Sequence, residues 1–167
     1  MRLLVATLAA VVLAAACGGG GGGGGNERSG ACTEVRERLD PASARHLLPG
    51  APAPRYLTDP PTSGAHALVI PPRGALDAPI PKPVQVAILE AGGVIIQYRG
   101  LPPAAVARLR ELAGGDVRVA PAATLPAPVV ATAWTRKLTC SAVDVAALRR
   151  FAAAHAGRGP GHGGPPG

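Results

Sequence analysis

Ten prolines fall between Pro49 and Pro83, and no long helix can be laid across them. From Ala31 to about Pro83 the chain also lacks any hydrophobic periodicity, so it should wrap a domain as extended chain, turns and short edge strands. One local exception is Asp40-Pro41, which can open a helical turn through Ala42 to Leu47, with Asp40 as N-cap and Pro41 at the first helical position. Regular structure is easier to see from Val84 onward.

That second half carries the usual signals. Val84 to Leu89 is rich in β-branched residues and reads as a strand, Glu90-Ala91-Gly92-Gly93 as a hairpin turn, and Val94 to Tyr98 as its partner. Pro102 and Pro103 open a helix through Leu112, with Val106, Leu109 and Leu112/Ala113 as its apolar stripe and Gly114-Gly115 as its stop. A short strand over Val117 to Val119 and a longer one over Val129 to Leu138 follow, the latter with Trp134 as a core anchor. Ser141 to Asp144 resembles a capping box and starts a helix that buries Val145, Leu148, Phe151 and Ala152 before ending at Gly157. This order predicts one α+β domain: a mixed sheet of about four strands, two helices on one face, and a Pro-rich irregular N-terminal half. With 167 residues there is room for one ordinary domain, which excludes a multi-domain enzyme and a polytopic membrane protein.

The N-terminus reads as an address. Met1-Arg2 is a short positive region, and Leu3 to Leu13 is an apolar run too short to span a bilayer, which takes about 20 residues. Ala14-Ala15-Ala16 then precede Cys17, a pattern similar to a bacterial lipobox, although Leu13 stands four residues before the cysteine where three is usual. The expected organisation is a signal peptide over 1–16, a lipidated Cys17 with a Gly-rich tether over 17–30, a globular domain over 31–159 and a Gly/Pro tail over 160–167. Ordinary cleavage after Ala-x-Ala would give the same mature end without lipid. The run of eight glycines, Gly18 to Gly25, suits a flexible tether; it is no phosphate loop, because no Gly-Lys-Ser/Thr follows.

Export agrees with the cysteines. Once Cys17 is set aside for lipid, Cys32 and Cys140 remain as one pair, with two buried free thiols as the alternative. Closing that loop would stabilise the fold by up to about 4.7 kcal/mol. No Cys-x-x-Cys exists to form a zinc ribbon or a thioredoxin-type site. Seventeen basic against ten acidic residues leave a net charge of +7, but no basic run exceeds two residues and only four residues are aromatic. Nucleic-acid binding is therefore not expected, whereas attraction to an anionic polymer or lipid stays open.

Three phrases are more specific. They are Asp59-Pro60-Pro61-Thr62-Ser63-Gly64-Ala65-His66, Leu89-Glu90-Ala91-Gly92-Gly93-Val94-Ile95-Ile96 and Val129-Val130-Ala131-Thr132-Ala133-Trp134. Over roughly Cys32 to Pro160 they resemble the bacterial domain-of-unknown-function 3105 family, whose members are typically exported or membrane-attached. In that family the second phrase reads approximately Val-His-x-Leu-Glu-His-Gly-Gly, with a further His before the later Tyr. Here those positions hold Ala87, Ala91 and Gln97. The resemblance implies a cluster of imidazoles around a carboxylate, a good donor set for a borderline metal. This chain keeps only His66 and Glu90 of it, and two ligands do not hold a metal tightly, so the expectation is a degenerate site that binds no metal.

The remaining residues read more plainly. Ser63 lacks a Gly-x-Ser-x-Gly context, which argues against a serine hydrolase. Asp59 and Thr62 are expected to stabilise the Pro-Pro turn, and His155 to sit in a last helical turn where a cation suits the dipole. His162 falls in the tail. Two functions follow. One is a lipid-anchored, non-catalytic envelope module with no cofactor, whose partners are the membrane and an envelope protein or anionic polymer. The other is a metal-binding protein or metal-dependent enzyme that uses His66 and Glu90 as its metal candidates.

Overall fold

A six-stranded mixed sheet organises the computed structural model, which describes residues 28–29 and 31–162. The expected signal peptide, Cys17, the glycine run and residues 163–167 lie outside the described residues. The strands are β1 (Arg28–Ser29), β2 (Cys32–Arg36), β5 (Val94–Tyr98), β6 (Val117–Pro121), β7 (Val129–Ala133) and β8 (Arg136–Cys140), in the order β1-β2-β8-β7-β5-β6. Two further strands, β3 (His46–Leu47) and β4 (His66–Ala67), pair in parallel apart from the sheet. The helices are α1 (Lys82–Glu90), α2 (Pro103–Arg110) and α3 (Val145–His155). Only β5 and β6 run parallel within the sheet, and α2 makes the crossover that a parallel pair requires. The α+β class holds, with more strands than the four expected.

Side-chain alternation along β5 separates two cores. Val94 and Ile96 face α2 and α3, where they join Leu109, Val119, Val129, Ala131, Leu138, Leu148 and Phe151. Ile95 faces the other way and packs with Ile80, Ile88, Leu89 and Ala120. The two helices expected on one face are there. The third, α1, covers the opposite face.

Helix α1 replaces the strand expected over Val84 to Leu89. The β-branched residues suggested extended chain, but Pro81 and Pro83 lie where a first helical turn tolerates proline, and Val84 and Gln85 both donate their N–H to the Pro81 carbonyl. Gln85 through Leu89 are all buried, which removes the polar face that would have revealed a helical period. The supposed hairpin turn is the helix stop: Gly93 N–H bonds the Ile88 carbonyl and Gly92 N–H the Leu89 carbonyl, with Gly92 at φ 77°. Local β propensity loses to capping and burial.

The long strand expected over Val129 to Leu138 is instead a hairpin, β7 and β8, closed by Trp134-Thr135. No glycine or asparagine announces this turn, and Thr135 sits at φ 56°, rare for a β-branched residue. Two hydrogen bonds from elsewhere hold it: Thr135 N–H donates to the Thr62 carbonyl, and Glu37 N–H donates to the Thr135 carbonyl. Trp134 consequently packs against the α1 cluster from a turn and is not a strand anchor.

At the other end of the sheet, Cys32 and Cys140 are directly opposed on β2 and β8 and form a disulfide. Asp144, expected as the last member of a capping box, is itself the N-cap of α3 and accepts from Ala147 N–H. His155 closes α3 and meets Glu34 of β2 at 2.8 Å. Beyond Gly159, where the folded region was expected to stop, Pro160–His162 form a 3-10 turn. Arg28–Ser29, expected within the tether, add β1 to the sheet edge.

Candidate metal centre

The strap from Glu37 to Pro83 leaves most of its large apolar groups exposed or half-buried, and its buried stretch runs from Pro60 to His66. Polar contacts fix that stretch. Ser63 Oγ accepts from the Asp40 N–H, and Asp40 Oδ1 accepts from Ala42 N–H at the short helical turn, as its sequence implied. Tyr56 donates its hydroxyl to the Ala65 carbonyl at 2.9 Å. Burial, and then the Asp40 carboxylate, pushes the Tyr56 phenol up to about 12. Gly64 lies at φ 128° beneath the Tyr56 ring, where a Cβ would come within 2.9 Å of Tyr56 Cδ1. Only glycine fits there. Asp59 points outward to Lys82 at 2.9 Å, while Thr62 acts through its backbone on the β7–β8 turn.

This loop delivers His66 to β4. Its backbone N–H bonds the Arg45 carbonyl and sets β3 beside β4, with His46 and His66 opposite each other. The two rings meet edge to face, 4.7 Å between centroids at 81°. Glu90, the last residue of α1, brings Oε2 to 2.7 Å from His66 Nε2. One donor atom from each of His46, His66 and Glu90 lies within 4.8 Å of the others. His66 is 1% exposed and Glu90 32%, and His46 is open to solvent, so the cluster has a buried floor and an open rim.

The protonation of His66 follows from its partners. Nδ1 lies 3.1 Å from the Gly64 carbonyl, which can only accept, so Nδ1 carries the hydrogen. In the neutral ring Nε2 is then a lone pair. It is buried, and Glu90 Oε2 lies 2.7 Å away without counting as a hydrogen-bond partner. A lone pair and a carboxylate oxygen this close repel, and either a proton on Nε2, which makes this an ordinary His–Glu ion pair, or a cation bound beside them relieves the repulsion. For a cation, two imidazoles with one carboxylate are a donor set used for zinc with an open fourth position, or for non-haem iron.

Sequence reasoning found His66 and Glu90 and missed His46, which it placed in a helical turn without a role. A signal was present: His46-Leu47-Leu48 and His66-Ala67-Leu68 share one pattern, as adjacent short strands would. Ala87 lies three residues before Glu90 on the same side of α1, and Ala91 follows Glu90 as the helix C-cap. Gln97 is on β5 and lines a different cavity of about 210 Å³ with Gln85, Asp59 and Lys82.

Fold and cluster together define a small α+β domain with a half-buried His-His-Glu centre. The chain belongs to the family of proteins of unknown function DUF3105, matched over residues 52–166. The match starts later than the resemblance did and leaves His46 outside it. No curated protein and no solved structure matches the chain. Among the described residues no helix is long and apolar enough to cross a membrane.

Proposed function

We propose that this protein is an exported, lipid-anchored metal-binding domain that holds one divalent ion of the zinc class through His46, His66 and Glu90. The observation that carries the reading is the convergence of one donor atom each from His46, His66 and Glu90 within 4.8 Å, about the buried Nε2 of His66. Leaving a buried polar atom unsatisfied costs roughly 1–3 kcal/mol, and an ion removes that cost while neutralising the carboxylate. The Gly64 carbonyl would orient the ring and favour the Nε2 lone pair, as outer partners of metal-bound histidines do. The exposed His46 leaves one side of the centre reachable by water or an exchanging ligand.

Metal analysis of the chain from residue 17, purified without chelator, tests the centre. One transition ion per chain, lost in His66→Ala, is expected. A metal-free protein that takes up no added zinc would return the reading to a non-catalytic accessory module. The anchor has its own test: a labelled fatty acid should enter the wild type and not Cys17→Ala, and equal labelling of both would remove the lipid from the account.

A further inference from the structure

Strands β3 and β4 leave their parallel pairing in the same direction, so the residues that follow them emerge side by side. Those residues are apolar and uncovered. Leu48 is 78% exposed, Leu68 79% and Ile70 96%, with Val69 also exposed between them. Single exposed leucines are ordinary on a soluble surface, but four large apolar side chains on two adjoining loops are a patch. The loops that carry it are mostly basic. From Pro41 to Leu76 the basic residues are Arg45, Arg55 and Arg73, all exposed, and the sole acid is Asp59, which is engaged by Lys82.

We infer that this patch is a membrane-docking tip, with Leu48, Leu68, Val69 and Ile70 entering the interface of an anionic bilayer and Arg45, Arg55 and Arg73 meeting its headgroups. Apolar tips combined with basic side chains are how interfacial elements bind lipid, the first by burial and the second by attraction to anionic headgroups. Chain length permits the contact. The 10 residues from Gly18 to Glu27, ahead of β1, can reach at most about 36 Å, close to the roughly 36 Å breadth of a domain of this size, so the tether leaves the domain room to turn towards the surface to which Cys17 would be fixed. The docking needs neither the acyl chain nor the metal, so it stands or falls apart from the proposed function.

The test uses the chain from residue 17 with Cys17→Ser, sedimented with phosphatidylcholine vesicles with and without a quarter of phosphatidylglycerol. Binding to the anionic vesicles is expected. The double variant Leu68→Ser/Ile70→Ser should weaken it at least about tenfold, with melting temperature and metal content unchanged because both side chains stand in solvent. Each of Arg45→Gln, Arg55→Gln and Arg73→Gln should weaken it about fivefold and reduce its salt dependence. Failure of the unacylated chain to bind would overturn the inference. So would binding that ignores the serine pair and is abolished by salt or by heparin, since that marks a general polyanion surface.

Discussion

Val94, Ile95, Ile96, Val129 and Val130 are wholly buried in the sheet, whereas the strap from Glu37 to Pro83 buries one large aliphatic side chain, Ile80, and otherwise Asp40 and the run from Pro60 to His66. The first region is held by apolar area, the second by a set of directional contacts: Ser63 to Asp40, Tyr56 to Ala65, Thr135 to Thr62, and Arg118 to the Pro72 carbonyl. Apolar packing sets a stable frame and tolerates modest change of shape. Hydrogen bonding to named backbone atoms sets positions, and the strap is where a position matters, because it carries two of the three donors of the centre.

That contrast can be broken at several strengths. The largest loss of stability is expected from Leu148→Ala, which empties a fully buried site between α3 and the sheet. It should cost about 2–5 kcal/mol in denaturant unfolding and leave metal affinity in the remaining folded protein unchanged. Next is Cys32→Ser, at about 2–4 kcal/mol, with reduction of the wild type lowering the melting temperature similarly. Free thiols at Cys32 and Cys140 in protein purified without reductant would contradict the pairing. Gly64→Ala should cost roughly 1–3 kcal/mol, since it adds a Cβ against Tyr56 at a left-handed φ. Its larger effect should be on metal affinity, because the same residue's carbonyl orients His66. An unchanged zinc affinity there would mean the strap does not position the centre.

The smallest effect belongs to Tyr56→Phe, about 1 kcal/mol for the lost bond to Ala65. This phenol also has a pH signature. Its folded value is raised to about 12 from 10.0, so the folded state favours the neutral form. The unfolded chain ionises first as pH rises, and stability should fall from pH 10 towards 12. Below pH 10 both states are neutral and the slope vanishes. The phenylalanine variant should lack that alkaline decline, which a melting series across the range would show.

The same contrast governs what the sequence revealed. Strand β5, helix α2 and most of α3 were legible because apolar periodicity and stop signals act locally. Helix α1 was misread because it is buried on all sides and rich in valine and isoleucine. The β7–β8 turn was invisible because its support at Thr135 comes from Thr62 and Glu37, far away in the chain. For the centre, His66 and Glu90 stood inside recognisable phrases. His46 did not, since its place depends on the backbone bond from His66 to Arg45, and nothing in a proline-studded segment fixes such a pairing in advance.

The proposed centre shares one ion among His66 Nε2, Glu90 and His46. Anomalous diffraction at the zinc edge, from crystals of the chain grown with equimolar zinc, tests it most directly. The predicted result is one strong peak at about 2.0–2.2 Å from His66 Nε2, a His46 ring nitrogen and a Glu90 oxygen. A peak elsewhere with this cluster bare, or a His66 ring turned so that Nε2–H donates in line to Glu90, would contradict it.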